Sequence, residues 1–218
     1  MKVLKLIFIV IFCAVYAFCN NSKFLNPKII IGTNYNNIEA EDQNEHSAPD
    51  RHYYKPGLLI GIENDIIIND YFTYCISLIY SKNYSMYKYS TYTGTPAAYQ
   101  VYVNDYLRFS NLLGIPIYNI INIYFGIDTG VLLNNFYNIL YEKGDDIYGF
   151  YLENYKINLP KIENSFCVKV SKNIYYKNNE FDFGLKFSRN IKDFKNRYFP
   201  YNKFKNQHIQ IYFGYHFK

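Results

Sequence analysis

Tryptophan is absent from the 218 residues, and only four cysteines are present. Two of the four, Cys13 and Cys19, fall in or beside an N-terminal apolar run, which leaves Cys75 and Cys167 for a mature chain. Two cysteines inside strand-like segments cannot build a disulfide framework, although one bridge between them or two free thiols both remain open. Neither a Cys-x-x-Cys pair nor a zinc-like spacing occurs. Beyond Phe18 no stretch reaches 18 consecutive apolar residues, so no further spanning helix is expected. Helical periodicity is scarce throughout.

Dense charge of one sign is also lacking. The net charge of +5 is spread along the chain. The nearest thing to a basic block, Lys192, Lys195, Arg197, Lys203 and Lys205, is interrupted by Tyr and Phe. Such interleaving suits single-stranded nucleic acid. An exported chain rarely meets that partner, so a solvated loop is the better reading and no nucleic-acid partner is expected. Catalytic constellations are missing as well. His46 and His52 lie near Glu45 and Asp50 but read as a polar loop, and Gly144-Asp145-Asp146 lacks the length of a calcium loop. His208 and His216 share a strand face, yet about 26 Å separates them at strand rise. No catalytic residue, cofactor or metal ligand is assigned, and the chain does not read as an enzyme.

What is present begins with an address. Lys2 and Lys5 precede an apolar run from Leu6 to Phe18, the layout of a secretory signal peptide. Cleavage after Ala17 or after Cys19 both fit, and residues 1–19 are expected to be signal peptide. Lipidation of Cys19 is disfavoured by Phe18, where a lipobox takes Gly or Ala. Residues 20–218 then form one domain of ordinary size.

That domain alternates. Along Glu180–Ser188, Phe181, Phe183, Leu185 and Phe187 interleave with Asp182, Gly184, Lys186 and Ser188. In His208–Phe217, Ile209, Ile211, Phe213, Tyr215 and Phe217 interleave with polar residues and Gly214. A period of two gives a strand with one apolar face. Five earlier segments behave similarly, Lys55–Ile67, Phe72–Tyr84, Tyr99–Ile115 closed by Pro116, Ile121–Leu133 and Ser165–Tyr176, and the short apolar run Lys28–Tyr35 is taken as the first strand. Connections after the second, fourth and sixth are short, with Asn69-Asp70, Tyr118-Asn119 and Lys177–Asn179 as turns. Those after the first, third, fifth and seventh are long, including Asn36–His52 and Asn134–Glu163. The expectation is an all-β, eight-stranded antiparallel barrel, an up-and-down meander whose alternate short turns and long loops suit an outer membrane.

Strand parity assigns the two faces. Glu63, Arg108, Asp128, Lys169, Asp182 and Lys186 lie opposite the apolar face, and three acids with three bases can neutralise one another in a narrow lumen. The lipid-facing set is Leu58, Ile60, Ile76, Leu78, Leu107, Phe109, Ile123, Phe125, Phe166, Val168, Phe183, Leu185, Ile211 and Phe213. The high Tyr and Phe content tracks AT-rich codons and is discounted as a sign of aromatic girdles. The slightly polar mean hydropathy of −0.22 does not count against a membrane barrel, because alternating strands cancel in a sliding window.

The segments Asn69–Tyr84, Asn104–Ile117, Tyr124–Leu133, Phe181–Ser188 and Ile209–Phe217 resemble the PorT-like outer-membrane β-barrel family, among the small OmpA/OmpX-like barrels of Gram-negative bacteria. That family carries a Tyr-Leu-x-Ile/Phe strand, a Gly-rich fifth strand, a Phe-Gly strand and a final Gly-Tyr-x-Phe. The likeness covers most of the mature chain in strand order through short motifs. It departs at Arg108, where the family tends to carry a carboxylate, and at Lys218, which follows the terminal aromatic Phe217. The resemblance implies an outer-membrane location, a C-terminal strand read by the barrel-insertion machinery, and service in a secretion or transport assembly. Outer-membrane lipid and an envelope protein at the long loops are the expected partners. Eight strands leave an interior only wide enough for side chains, so a general diffusion pore is not expected. The alternative from another class is a secreted soluble barrel of the lipocalin kind, holding an apolar ligand inside.

Overall fold

The computed structural model describes residues 25–41, 51–89, 98–117, 120–143, 146–150, 160–192, 194–196 and 199–217. The signal-peptide region with Ala17 and Cys19, the loop residues Glu45, His46 and Asp50, Tyr118 and Asn119, Gly144 and Asp145, and Lys218 lie outside them.

Ten strands follow one another: β1 Leu25–Glu41, β2 Arg51–Asn69, β3 Phe72–Tyr89, β4 Ala98–Ile117, β5 Ile121–Lys143, β6 Asp146–Phe150, β7 Ile162–Tyr176, β8 Asn179–Asn190, β9 Phe194–Asn196 and β10 Phe199–His216. Each long strand pairs antiparallel with the next, in the order β1-β2-β3-β4-β5-β7-β8-β10. Pairing of β10 with β1, from Lys28 opposite His216 to Glu41 opposite Lys203, closes the ring. The short β6 hangs from β5 and β9 from β10. The wall is therefore a closed eight-stranded meander, and no helix occurs among the described residues. Closure satisfies every ladder and leaves no edge in the wall.

The strands are longer than the alternation alone marks. β5 runs to Lys143 rather than ending at Leu133, and β7 begins at Ile162, so the segment expected as one long loop from Asn134 to Glu163 is partly strand. The physical reason is a bulge: Asp105 pairs with Asn134 but Tyr106 with Leu132, which leaves Leu133 unopposed. A bulge shifts which residues face inward, and so breaks the period-two pattern that marks a strand. β10 likewise starts at Phe199, inside the basic stretch read as a solvated loop. Pro116 sits one residue inside the end of β4, opposite Asn122, rather than beyond it.

Three tight connections lie at one end of the barrel, the turn end. After β2, Asn69 Oδ1 accepts the N–H groups of Tyr71 and Phe72 at 2.9 Å each, an Asx turn. After β4, Ile120 N–H donates to Ile117 O at 3.0 Å. After β7, Lys177 has φ of 54°, the left-handed twist that a two-residue hairpin needs at its first central position. The longer connections, after β1, β3, β5 and β8, lie at the opposite, loop end.

Candidate functional site: the charged interior

Alternation along the strands sorts side chains largely by polarity, with most of the polar set inside. In β8 every second residue from Asp182 to Asn190 is buried, while Phe183, Leu185 and Phe187 are exposed. The same holds around the wall: Leu58, Phe109, Phe125, Phe166 and Phe213 are exposed, and Ile60, Ile76, Leu78, Leu107, Ile123, Val168 and Ile211 are half-exposed on the same outer face. Ordinary soluble barrels show the reverse. Among the described residues, the interior buries four cations, Lys28, Arg108, Lys169 and Lys186, and five carboxylates, Glu63, Asp65, Asp128, Glu163 and Asp182.

These charges form two groups at different heights. Nearer the turn end, Lys28 Nζ from β1 donates to Asp65 Oδ2 of β2 at 2.8 Å and to Asp182 Oδ2 of β8 at 2.5 Å, and lies 2.9 Å from Glu63 Oε1. Lys169 from β7 reaches the same Glu63 carboxylate and lies 3.5 Å from Cys75 Sγ of β3. Its ammonium also sits over the Tyr124 ring, 4.3 Å from the centroid. One lysine thus serves three acids from two strands, and one acid serves two lysines.

Nearer the loop end, Arg108 of β4 is the hub. Its Nη1 donates to Asp128 Oδ2 of β5 at 2.8 Å, and its Nη2 reaches Glu163 of β7 and donates to His208 Nε2 of β10 at 2.7 Å. Lys186 of β8 donates to the other oxygen, Asp128 Oδ1, at 2.8 Å and to Ser110 Oγ at 2.7 Å. Asn206 and Asn190 donate to Glu163 Oε2 at 2.8 and 3.4 Å. An isolated buried charge costs several kcal/mol, and removing one partner of a pair strands the other, so each ion here depends on its neighbours. Guanidinium suits the hub because its rigid fork presents five donors and no acceptor.

All six residues expected on the polar face lie inside. Glu63, Lys169 and Asp182 belong to the turn-end group, while Arg108, Asp128 and Lys186 belong to the loop-end group. The charge set read from the sequence leaves out Lys28, Asp65, Glu163 and His208, although alternation puts His208 on the polar face of the last strand. Asp65 shares the parity of Glu63 and was legible. Lys28 is followed by Ile29, Ile30 and Ile31, a run with no alternation, of which Ile30 is buried and its two neighbours are exposed. Glu163 fell in the stretch taken for loop.

Small apolar patches fill the rest of the lumen. Ile30, Leu59, Ile79 and Tyr212 form one cluster, and Cys75, Leu112, Tyr124 and Cys167 another. Tyr212 lies opposite Gly32 on one side and Gly184 on the other. A Cβ at Gly184 would collide with the Tyr212 ring, so that position must lack a side chain for the phenol to lie there, whereas at Gly32 a Cβ would meet the Ile211 carbonyl oxygen and Tyr212 Cα, a close approach of β1 to β10. The two cysteines are free. They stand on β3 and β7, three inter-strand spacings of about 4.8 Å apart around the wall, whereas a disulfide needs Cα atoms within about 7 Å. A bridge is therefore excluded by the wall itself. Ligand atoms of Glu63, Asp65 and Cys75 lie within 4.8 Å of one another, a spacing that could hold a metal ion. Lys28 and Lys169 already serve those atoms, so the geometry suits ammonium groups.

A closed antiparallel barrel with an apolar exterior and an interior of paired charges is an inside-out barrel, and that is the class this chain defines. No protein-family model matches the sequence, and no curated protein matches it. Similar solved structures include the attachment invasion locus protein Ail of Yersinia pestis, 10% identical at a TM-score of 0.39 over 88% of this chain and 99% of that one. Neisserial surface protein A is 10% identical, with a TM-score of 0.38 over 91% and 100% of the two chains. The outer membrane protein OprG of Pseudomonas aeruginosa is 9% identical, with a TM-score of 0.40 over 88% and 96%.

Proposed function

We propose that the chain is a small outer-membrane β-barrel of a Gram-negative cell, exported by residues 1–19 and inserted as residues 20–218. The carrying observation is the inverted polarity: a wall whose outer face is apolar on every strand while nine charged side chains are buried inside. Contact of that apolar exterior with water is unfavourable, whereas acyl chains solvate it. On β10 the outward series from Ile209 to Phe217 extends about 26 Å along the strand, or about 20 Å of height at a tilt near 40°, close to the apolar band of such barrels. Tyr71, Phe72, Tyr175 and Tyr176 are exposed at the turn end, where amphipathic rings suit a membrane–water boundary.

The lumen is blocked by its own ion pairs, so the role is structural or interactive rather than diffusive. It acts through the loop end, either by surface binding or within a secretion or transport assembly of the kind the PorT-like resemblance implies. The C-terminal strand offers its outward aromatic series, with Phe181 against Phe213 at 5.3 Å and Tyr215 against Phe217 at 5.7 Å, to the insertion machinery. The soluble alternative requires an apolar interior around a ligand, and the charged interior argues against it.

Fractionation of expressing cells tests the location. The protein should partition with the outer envelope, require detergent for extraction and migrate differently on gels when unheated. Recovery from a soluble fraction without detergent, with no effect of heating on migration, would overturn the reading.

A further inference from the structure

The outer wall is apolar on every strand but not at every position. On β4 the outward series runs Leu107, Phe109, Asn111, Leu113 and Ile115, and on β2 it runs Leu58, Ile60, Ile62, Asn64 and Ile66. A carboxamide therefore interrupts each series, with apolar side chains on both sides of it along the strand. Register puts the two in one row across the wall: Asn64 lies opposite Ile76 of β3, and Ile76 lies opposite Asn111. Tyr74, two residues from Ile76 on the same outer face, donates its hydroxyl to Asn111 Oδ1 at 2.8 Å. Asn64 Oδ1 has no hydrogen-bond partner. Among the described residues no acceptor meets the amide N–H groups of Asn64 or Asn111 either.

Other polar groups on the outer face are provided for. Thr33 Oγ1 donates to Gly57 O and Thr129 Oγ1 to Asn164 Oδ1, both at 2.9 Å. Lys172 stands near the turn end of β7, where a long stem carries the ammonium out to the boundary. Asn64 and Asn111 have neither such a partner nor that reach. They lie five and six residues from the turn-end limits of their strands, Asn69 and Ile117. At strand rise and a tilt near 40° that is about 13–15 Å of height, the middle of an apolar band about 25 Å tall. An unmade hydrogen bond at that depth is costly, because hydrocarbon offers nothing in exchange. Contact with another protein surface that brings donors and acceptors is what relieves it.

We infer that the outer face of β2–β4 is where two copies of this chain pair within the membrane, the carboxamides of Asn64 and Asn111 bonding to those of the second copy around Ile76 and Tyr74. The chemistry picks out the occupant. A carboxamide both donates and accepts, so the group it complements best is another carboxamide, and a second copy supplies two. A twofold axis along the membrane normal keeps both loop ends on one side and sets this face against itself. The opposite wall excludes further growth: β8 turns Phe181, Phe183, Leu185 and Phe187 outward, with no polar group among them. Pairing therefore closes at two. This inference rests on the outer-membrane reading, which alone puts these carboxamides in hydrocarbon.

The full mature chain tests it, in density-matched detergent and in phosphatidylcholine vesicles. Sedimentation equilibrium in the detergent should find a dimer. The double variant N64L/N111L should raise its dissociation constant at least tenfold, whereas Phe183→Ala on the opposite wall should leave it within twofold. In the vesicles, a short bismaleimide should join copies carrying Ile76→Cys but not copies carrying Phe183→Cys; the native cysteines are buried and out of its reach. A wild-type monomer in both media, a dimer unchanged by N64L/N111L, or equal cross-linking from the two positions would overturn the interface. Heat-dependent migration and flotation with vesicles, read on the same preparation, separate the two levels: an inserted barrel that stays monomeric sinks only this inference, while a barrel that fails to insert sinks the membrane reading with it. If the double variant does not fold, the cross-linking pattern still decides.

Discussion

Arg108 is where a single residue carries most. It reaches Asp128 and Glu163, both fully enclosed. Arg108→Met should cost about 3–5 kcal/mol, because Glu163 loses its guanidinium and Asp128 one of its two buried cations. Lys186→Ser should cost less, about 2 kcal/mol, since Arg108 still faces Asp128 from the other side. Urea unfolding in detergent, followed by the heat-sensitive gel shift, reads both; equal damage would mean that Arg108 is not the hub. The cysteines give a second check at this scale. Cys75 and Cys167 are buried and too far apart around the wall to pair. Maleimide should label both only after unfolding, and non-reducing gels should show no cross-link.

At the scale of single residues the sequence was readable where alternation was clean. Asp182 and Lys186 sit between Phe181, Phe183, Leu185 and Phe187, so parity alone puts them inside. Lys28 was hidden because three isoleucines in a row carry no polarity signal, and only closure of β1 against β10 assigns it a face. The pairing of one charge with another was not legible at all. Lys28 and Asp182 are 154 positions apart in the chain, and meet only because closure of the barrel sets β1 and β8 on either side of β10.

At the scale of elements, the turns and bulges decide length and register. Asn69-Asp70 was legible as a turn because an Asn side chain can take over backbone donors. Lys177 was not, since lysine gives no hint of a positive φ. Lys177→Gly should raise stability by up to about 1 kcal/mol, because glycine adopts that conformation without strain; an unchanged or lower unfolding midpoint would contradict the role given to this turn. The bulge at Leu133 was invisible to a pattern of period two, which is why β5 outruns its expected end. On the outer face, Leu185→Arg should cost roughly 2–4 kcal/mol if the site lies near mid-bilayer. Arg189, four residues further toward the loop end on that face, should tolerate Gln with little loss of stability.

For the whole molecule, the eight-strand closure leaves a lumen filled by two ionic groups and two small apolar clusters. Planar-bilayer recordings should therefore show no steady pore-like conductance. The count of eight strands, their order and the side of each that faces inward follow from alternation plus alternating connection lengths. The height of the wall does not, because strand ends beyond the apolar band lose the contrast between faces. The central claim is that the apolar face of every strand meets acyl chains. The absence of tryptophan makes it directly measurable, since one introduced indole is the sole such reporter. Phe213→Trp, reconstituted in vesicles with brominated acyl chains, should emit at short wavelength and be strongly quenched. Long-wavelength emission without quenching by those lipids would place Phe213 in water or in a protein core, and would contradict the account.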